Sequence, residues 1–333
     1  MGETLYDDAR MILDEYIGIR PEESLTIVTD RSRRAEGEAL AAAAADLGVE
    51  ALFLDITATV DRWFEAPGFW MRPPQSLIDC VQASNVSVFA VDETWAFRLD
   101  HQVRHLFRTG PGCSVFKVDL GMGKWSLTRE DMEAATERGK VLMSSFEGAR
   151  LVHVTTPGGT DLHLSVEGRP CLPVIPIPGR GKPYGMSVPL WSEYNWAPIE
   201  EYTHGVAVID GVTEATKVIH EVDEPVRIEV SGGKAVDIAG GADADSFREA
   251  MQTDDTAAFV GELGLGAHHK ALAGTETEKA MLGTCHLGFG DNGDYPGGLN
   301  RSAVHIDMLM RDVTVEVDGK VVIDAGRVVG YDI

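Results

Sequence analysis

The sequence predicts an α/β N-terminal domain with a mainly parallel sheet over residues 1–148. A mostly β (α+β) C-terminal domain over residues 149–333 follows it. Two observations carry this prediction. Up to about residue 146, strand-length apolar runs alternate with helix-length segments, the mark of βαβ units and a parallel sheet. From residue 151 onward strand patterns dominate, broken by Pro/Gly-rich loops at 173–185 and 288–300. A chain of 333 residues is long enough for two such domains.

The elements follow in order. Ala9, Ile12, Leu13 and Tyr16 recur at helical spacing, so residues 7–17 predict an amphipathic helix. Residues 24–30 predict a strand after the Pro21 turn. The alanine-rich run 35–47 predicts a helix stopped by Gly48. Residues 51–56 and 86–91 predict two more strands. No GxGxxG or GxxxxGK[ST] follows any of them, which weighs against a dinucleotide or nucleoside-triphosphate site. Past the domain junction, 151–166 reads as strand, glycine turn, strand. The C-terminal run 312–324 reads as a hairpin over Asp318-Gly319.

Charge and composition restrict the function. Asp plus Glu is 53 and Lys plus Arg is 29, a formal charge of −24. Such a surface repels phosphate backbones and anionic lipid, so neither nucleic acid nor a membrane is expected as partner. No apolar run approaches the ~18 residues of a membrane span, and the acidic start of the chain is unlike a secretory signal. The four cysteines, Cys80, Cys113, Cys171 and Cys285, lack disulfide-framework or zinc-ribbon spacing and read as reduced thiols in a cytoplasmic protein.

Four short segments carry candidate chemistry. His305 and Asp307 lie two apart in a run of strand character, so both face the same way and suit a cation such as Zn, Mn, Co or Fe. The blander reading is a His–Asp pair at a sheet edge. His286 stands among small residues and opens a glycine-rich loop, Gly288 to Gly298. Alone, it reads equally as a histidine in a turn. Glu262 sits in the run Gly261 to Gly266, where an unpaired buried carboxylate is costly unless it meets a cation. The alternative is the exposed face of a short strand. Glu193 lies among aromatics in 191–198, and the alternative there is a surface loop. Together, Glu193, Glu262, His286, His305 and Asp307 match the donor set of a site for two divalent metals.

These segments resemble the thermophilic metallo-aminopeptidase family of the aminopeptidase T and S type. The likeness lies in Gly159-Thr-Asp-Leu162, in Glu193-x-x-x-Ala-Pro198, in Glu262-x-x-x-Gly266, in Gly283-Thr-x-His286 and in Asn300-Arg-Ser-x-x-His-x-Asp307. In the N-terminal half it reaches only the α/β pattern and Val28-Thr-Asp30. It implies that the C-terminal domain is metal-binding and that Glu193, Glu262, His286, His305 and Asp307 hold two cations, Zn, Co or Mn. It also implies a homodimer acting on a small peptide or amide. Activation of water and polarisation of a carbonyl are the chemistry of such a pair, with Glu193 or Glu262 moving the proton. One departure stands out: the family's tyrosine seven residues beyond His286 is replaced by Gly293, with Tyr295 nearby.

The same superfamily contains ring-cleaving dioxygenases of dihydroxypyridines, with a mononuclear Fe(II) on two imidazoles and one carboxylate. They resemble this chain in His305-x-Asp307 but place a His where Glu262 stands. Tyr184, Trp191, Tyr194 and Trp196 would suit a flat ring, and this is the alternative reading. Other candidates read more simply. His268 reads as an exposed histidine and at most as a partner behind the site, and His101 with His105 share an exposed helix face. Cys285 is a small buried thiol, and Arg180 with Lys182 form a solvated loop.

Overall fold

The computed structural model describes residues 3–66, 71–92, 114–117, 122–123, 127–176, 189–216 and 218–331. It divides into two compact units, 1–133 with 175–190 and 134–174 with 191–333. The sequence reading put the junction at 148. The difference is the helix Arg129–Ser145, most of which belongs to the second unit. The cause is local: Gly139 of that helix lies against Tyr194, so closely that a Cβ there would sit 1.7 Å from the phenol oxygen.

The first unit is built on a four-stranded parallel sheet. Its strands are β1 (Leu25–Thr29), β2 (Ala51–Asp55), β3 (Val86–Ala90) and β4 (Ser114–Lys117), in the order β2-β1-β3-β4. Every residue of β1 and β3 is buried, as expected for strands covered on both faces. The first helix, α1 (Glu3–Met11), continues into one wider π turn over Ile12–Tyr16. Helices α2 (Arg34–Asp46), α3 (Thr57–Glu65) and α4 (Gln75–Ala83) follow. Asp30, at the end of β1, accepts from Ser32 N (2.8 Å), Arg33 N (3.2 Å) and Asp92 N (2.7 Å). It therefore satisfies free backbone donors beyond the strand. Val28, Trp63, Ile78 and Phe89 pack together in a core on this sheet.

The second unit holds α5 (Arg129–Ser145), α6 (Ala242–Ala250) and two largely antiparallel sheets. One sheet has eight strands. It contains β5 (Leu151–Thr155), β6 (Asp161–Ser165), β9 (His204–Ile209), β12 (Val226–Ser231), β13 (Lys234–Ala239), β17 (Thr314–Val317), β18 (Lys320–Asp324) and β19 (Arg327–Val328). On β12 burial alternates strictly, the signature of a sheet with one dry and one wet face. The other sheet has seven strands: β7 (Leu172–Val174), β8 (Glu193–Trp196), β10 (Val212–Thr213), β11 (His220–Glu221), β14 (Val260–Gly266), β15 (Cys285–Gly290) and β16 (His305–Met310). Its central strands β8, β14, β15 and β16 are buried throughout. Among the described residues no helix is long and apolar enough to cross a membrane.

Candidate metal centre

Strand periodicity places the site. On β14, β15 and β16, Leu263, Leu265, Leu287, Phe289, Ile306, Met308 and Met310 point to one face and are wholly buried. The opposite face carries Glu262 on β14, His286 on β15, and His305 with Asp307 on β16. Glu193 joins them from β8.

Glycine makes the room. In the strand register Glu193 faces Gly266, Glu262 faces Gly288, His286 faces Gly264, His305 faces Gly290 and Asp307 faces Gly288. Each donor thus stands opposite a residue without a side chain. A Cβ at Gly264 would lie 2.0 Å from His286 Cε1. A Cβ at Gly288 would lie 2.7 Å from Glu262 Oε2 and 2.9 Å from His305 Cε1. The glycine-rich run after His286 is therefore strand as far as Gly290, and not the loop that the composition suggested.

All five residues converge. Glu193, Glu262 and His286 form one group able to hold a cation, and Glu262, His305 and Asp307 form a second. Glu262 belongs to both. Its Oε1 lies 3.4 Å from His286 Nε2, and its Oε2 lies 3.0 Å from His305 Nε2. His286 Nε2 is 3.7 Å from Glu193 Oε1, and His305 Nε2 is 3.3 Å from Asp307 Oδ1. His305 Nδ1 meets the Asp291 carbonyl at 2.7 Å and donates to it, which turns Nε2 toward the carboxylates.

Three further side chains hold the carboxylates. Trp191 Nε1 donates to Glu193 Oε2 at 2.7 Å. The Tyr295 hydroxyl donates to Glu262 Oε2 at 2.6 Å, and its ring stacks on His305 with centroids 5.6 Å apart. Tyr295, two residues beyond Gly293, thus reaches the site. Lys279 Nζ donates to Asp307 Oδ2 (2.7 Å) and to Glu214 Oε1 (2.8 Å), with Glu276 4.0 Å away.

The buried cluster holds Glu193, Glu214, Glu262, Glu276 and Asp307 against the one ammonium of Lys279 and two imidazoles. Such an excess of buried carboxylate is costly without cations. Protonation reflects this. Burial pushes the Glu193 carboxyl up. Burial and the Asp307 charge also push Glu262 up, but hydrogen bonds from both imidazoles prevail and hold it at about 2. Burial pulls His286 down, and Glu193 and Glu262 more than reverse this, to about 9. Asp307 is held well below the usual carboxylate range: Lys279 and His305 outweigh its burial. Among the five converging donors, His286 Nδ1 and Asp307 Oδ1 are buried without a hydrogen bond. Hard oxygen and imidazole donors with an unspent carboxylate oxygen fit one or two divalent cations.

Lys279, Glu276 and Glu214 were not legible as site residues. Nothing in the sequence singled out the run 276–279, all four of whose residues are buried. His268 is buried rather than exposed and belongs to neither donor group. Cys285 is a buried thiol whose pKa burial raises. Tyr184, His101, His105, Cys113 and the Arg180–Lys182 loop lie outside the described residues.

A family model described as NicX: 2,5-dihydroxypyridine 5,6-dioxygenase matches residues 124–330, more than half of the chain. The chain belongs to this family. Its fold is similar to that of 2,5-dihydroxypyridine dioxygenase from Pseudomonas putida KT2440, with a TM-score of 0.72 and 16% identity over 98% of this chain and 97% of that one. It is equally similar to wild-type AmpT from Thermus thermophilus, with a TM-score of 0.72 and 15% identity over 98% and 99%. No curated protein matches. The resemblance to aminopeptidases is thus one of fold, while the family shown is that of the dioxygenase, an enzyme family.

Proposed function

We infer that the protein is a metal-dependent hydrolase in which Glu193, Glu262, His286, His305 and Asp307 hold two divalent cations, Zn, Co or Mn. Its substrate would be an N-terminal peptide bond or a related small amide. One observation carries this reading: two donor groups that share Glu262, with three buried carboxylates between them. Cations bound there supply an activated water and a polarised carbonyl. The chain's own residues do the rest. Trp191 holds Glu193 Oε2 and leaves Oε1 facing His286, so the carboxylate stands where it could ligate a cation or pass a proton. Lys279 fixes Asp307 by one oxygen and leaves the other toward His305. Tyr295 fixes Glu262. The same reading takes the enzyme as a cytoplasmic homodimer with a small substrate. The charge of −24 speaks against nucleic acid as partner.

A second reading is a mononuclear Fe(II) ring-cleaving dioxygenase acting on a hydroxylated pyridine, with His305 and Asp307 as ligands. The family match favours it, whereas the ligand set favours the first. A glutamate at 262 gives that triad one imidazole and two carboxylates, instead of the two imidazoles and one carboxylate of such oxygenases. Elemental analysis of gently purified protein, with Glu193→Ala alongside, separates the two. Two equivalents of Zn, Co or Mn, with aminoacyl-amide hydrolysis crippled by Glu193→Ala, is the expected result. One equivalent of iron, with oxygen uptake on hydroxypyridines that Glu193→Ala leaves intact, would establish the oxygenase and sink the hydrolase.

A further inference from the structure

The wet face of the eight-stranded sheet carries a second constellation of imidazoles. In the register of β17, β5, β6 and β9, Glu316 pairs with His153, His153 with His163, and His163 with His204. Four side chains therefore stand in one row across four strands. The rings of His153 and His163 stack with centroids 4.1 Å apart and planes 6° apart. His163 and His204 follow at 5.2 Å and 16°. Asp161, two residues before His163, points to the same side. Its Oδ1 lies 2.7 Å from His153 Nε2 and 3.6 Å from His163 Nε2.

We propose that His153, Asp161 and His163 form a surface site for a divalent transition cation of the Zn²⁺ or Ni²⁺ class, separate from the buried centre. Three observations support it. One donor atom from each residue lies within 4.8 Å of the other two. Donors 2.0–2.1 Å from a tetrahedral cation stand about 3.4 Å apart, close to the His163–Asp161 spacing, and the shorter His153–Asp161 contact lengthens toward that value. The two imidazoles border an open cavity of about 360 Å³ walled also by Leu151, Tyr202 and His204, and Asp161 is 69% exposed, so an ion can reach all three. The rings of His153 and His163 lie 6° from parallel, so one of them turns out of the stack for both to present an in-plane nitrogen to the same cation. Two imidazoles and a carboxylate select borderline cations over Mg²⁺ or Ca²⁺.

Calorimetric titration of Zn²⁺ into the full chain tests this, with His153→Ala/His163→Ala and Glu262→Gln compared in parallel. The expected result is that the double histidine variant binds one equivalent fewer than the wild type, or binds that equivalent about tenfold or more weaker, with its melting temperature unchanged. Glu262→Gln should keep that equivalent while losing the buried ones. Failure of the buried centre would show as identical isotherms for wild type and Glu262→Gln. Identical isotherms for wild type and the double histidine variant would overturn the surface site.

Discussion

The two sheets of the second unit each gather imidazoles and carboxylates across neighbouring strands, and they treat them in opposite ways. On the seven-stranded sheet the groups are buried, walled by glycines and pinned by Trp191, Tyr295 and Lys279. On the eight-stranded sheet His153, Asp161 and His163 have side chains 30%, 69% and 47% exposed, and water screens them. The same residue types are therefore a structural liability in one place and nearly cost-free in the other. Burial raises the energy of every unpaired charge, so the buried cluster must be completed by partners, whereas the exposed row tolerates being incomplete.

The largest effect expected from this contrast is at Lys279. Lys279→Met leaves Asp307 and Glu214 facing each other without their cation and should cost about 3–5 kcal/mol. Denaturant unfolding of chelator-treated protein measures it, and a cost below 1 kcal/mol would mean that the carboxylates are not held as charges. Next comes Gly264→Ala. Its Cβ would meet the His286 ring, and a loss of about 1–3 kcal/mol is expected from overpacking, together with weaker cation retention on dialysis. Preserved stability and retention would show that the ring has space to move.

A smaller effect is the opposite pH response of the two regions. In chelator-treated protein, His286 has its pKa raised to about 9. The stability it contributes is full below the unfolded-state value near 6.5 and is lost as pH rises through about 9. His163 has its pKa lowered, so the unfolded chain binds the proton more readily and stability falls as pH drops below about 6.5. Melting temperatures across pH 5–10 should fall at both ends. His163→Ala should flatten the acid limb alone, and a change confined to the alkaline limb would contradict the assignment. The smallest effect is that of His163→Ala at neutral pH without added metal. It should stay within about 0.5 kcal/mol, as an exposed substitution does, and a larger loss by thermal melting would mean that the stacked row supports the sheet.

The sequence reading succeeded where local pattern is strong. Strands β1, β2 and β3 lie within a residue of their expected bounds, because Gly48 ends the helix before β2, and Asp30 and Asp92 follow the β-rich runs of β1 and β3. The pairing of His305 with Asp307 followed from the two-residue period alone. Other features were not legible. Glycine carries no side chain to display alternation, so β15 read as a loop beyond Gly288. Lys279 did not stand out because its partners, Glu214 and Asp307, are distant in sequence. Tyr295 became part of the site through chain geometry rather than through spacing from His286. Convergence of five donors from four strands is a long-range fact that no local window contains.

The glycines opposite the donors carry a consequence for how this protein tolerates change. A saturation scan of β14, β15 and β16 should show two kinds of intolerant position. At Glu262 or Asp307 an isostere preserves shape and removes only charge, so folded but inactive variants should survive. At Gly264 and Gly288 no isostere exists, because every other residue adds the atom that collides with His286 or Glu262. The ligands can be changed one property at a time. The empty places beside them permit no graded change.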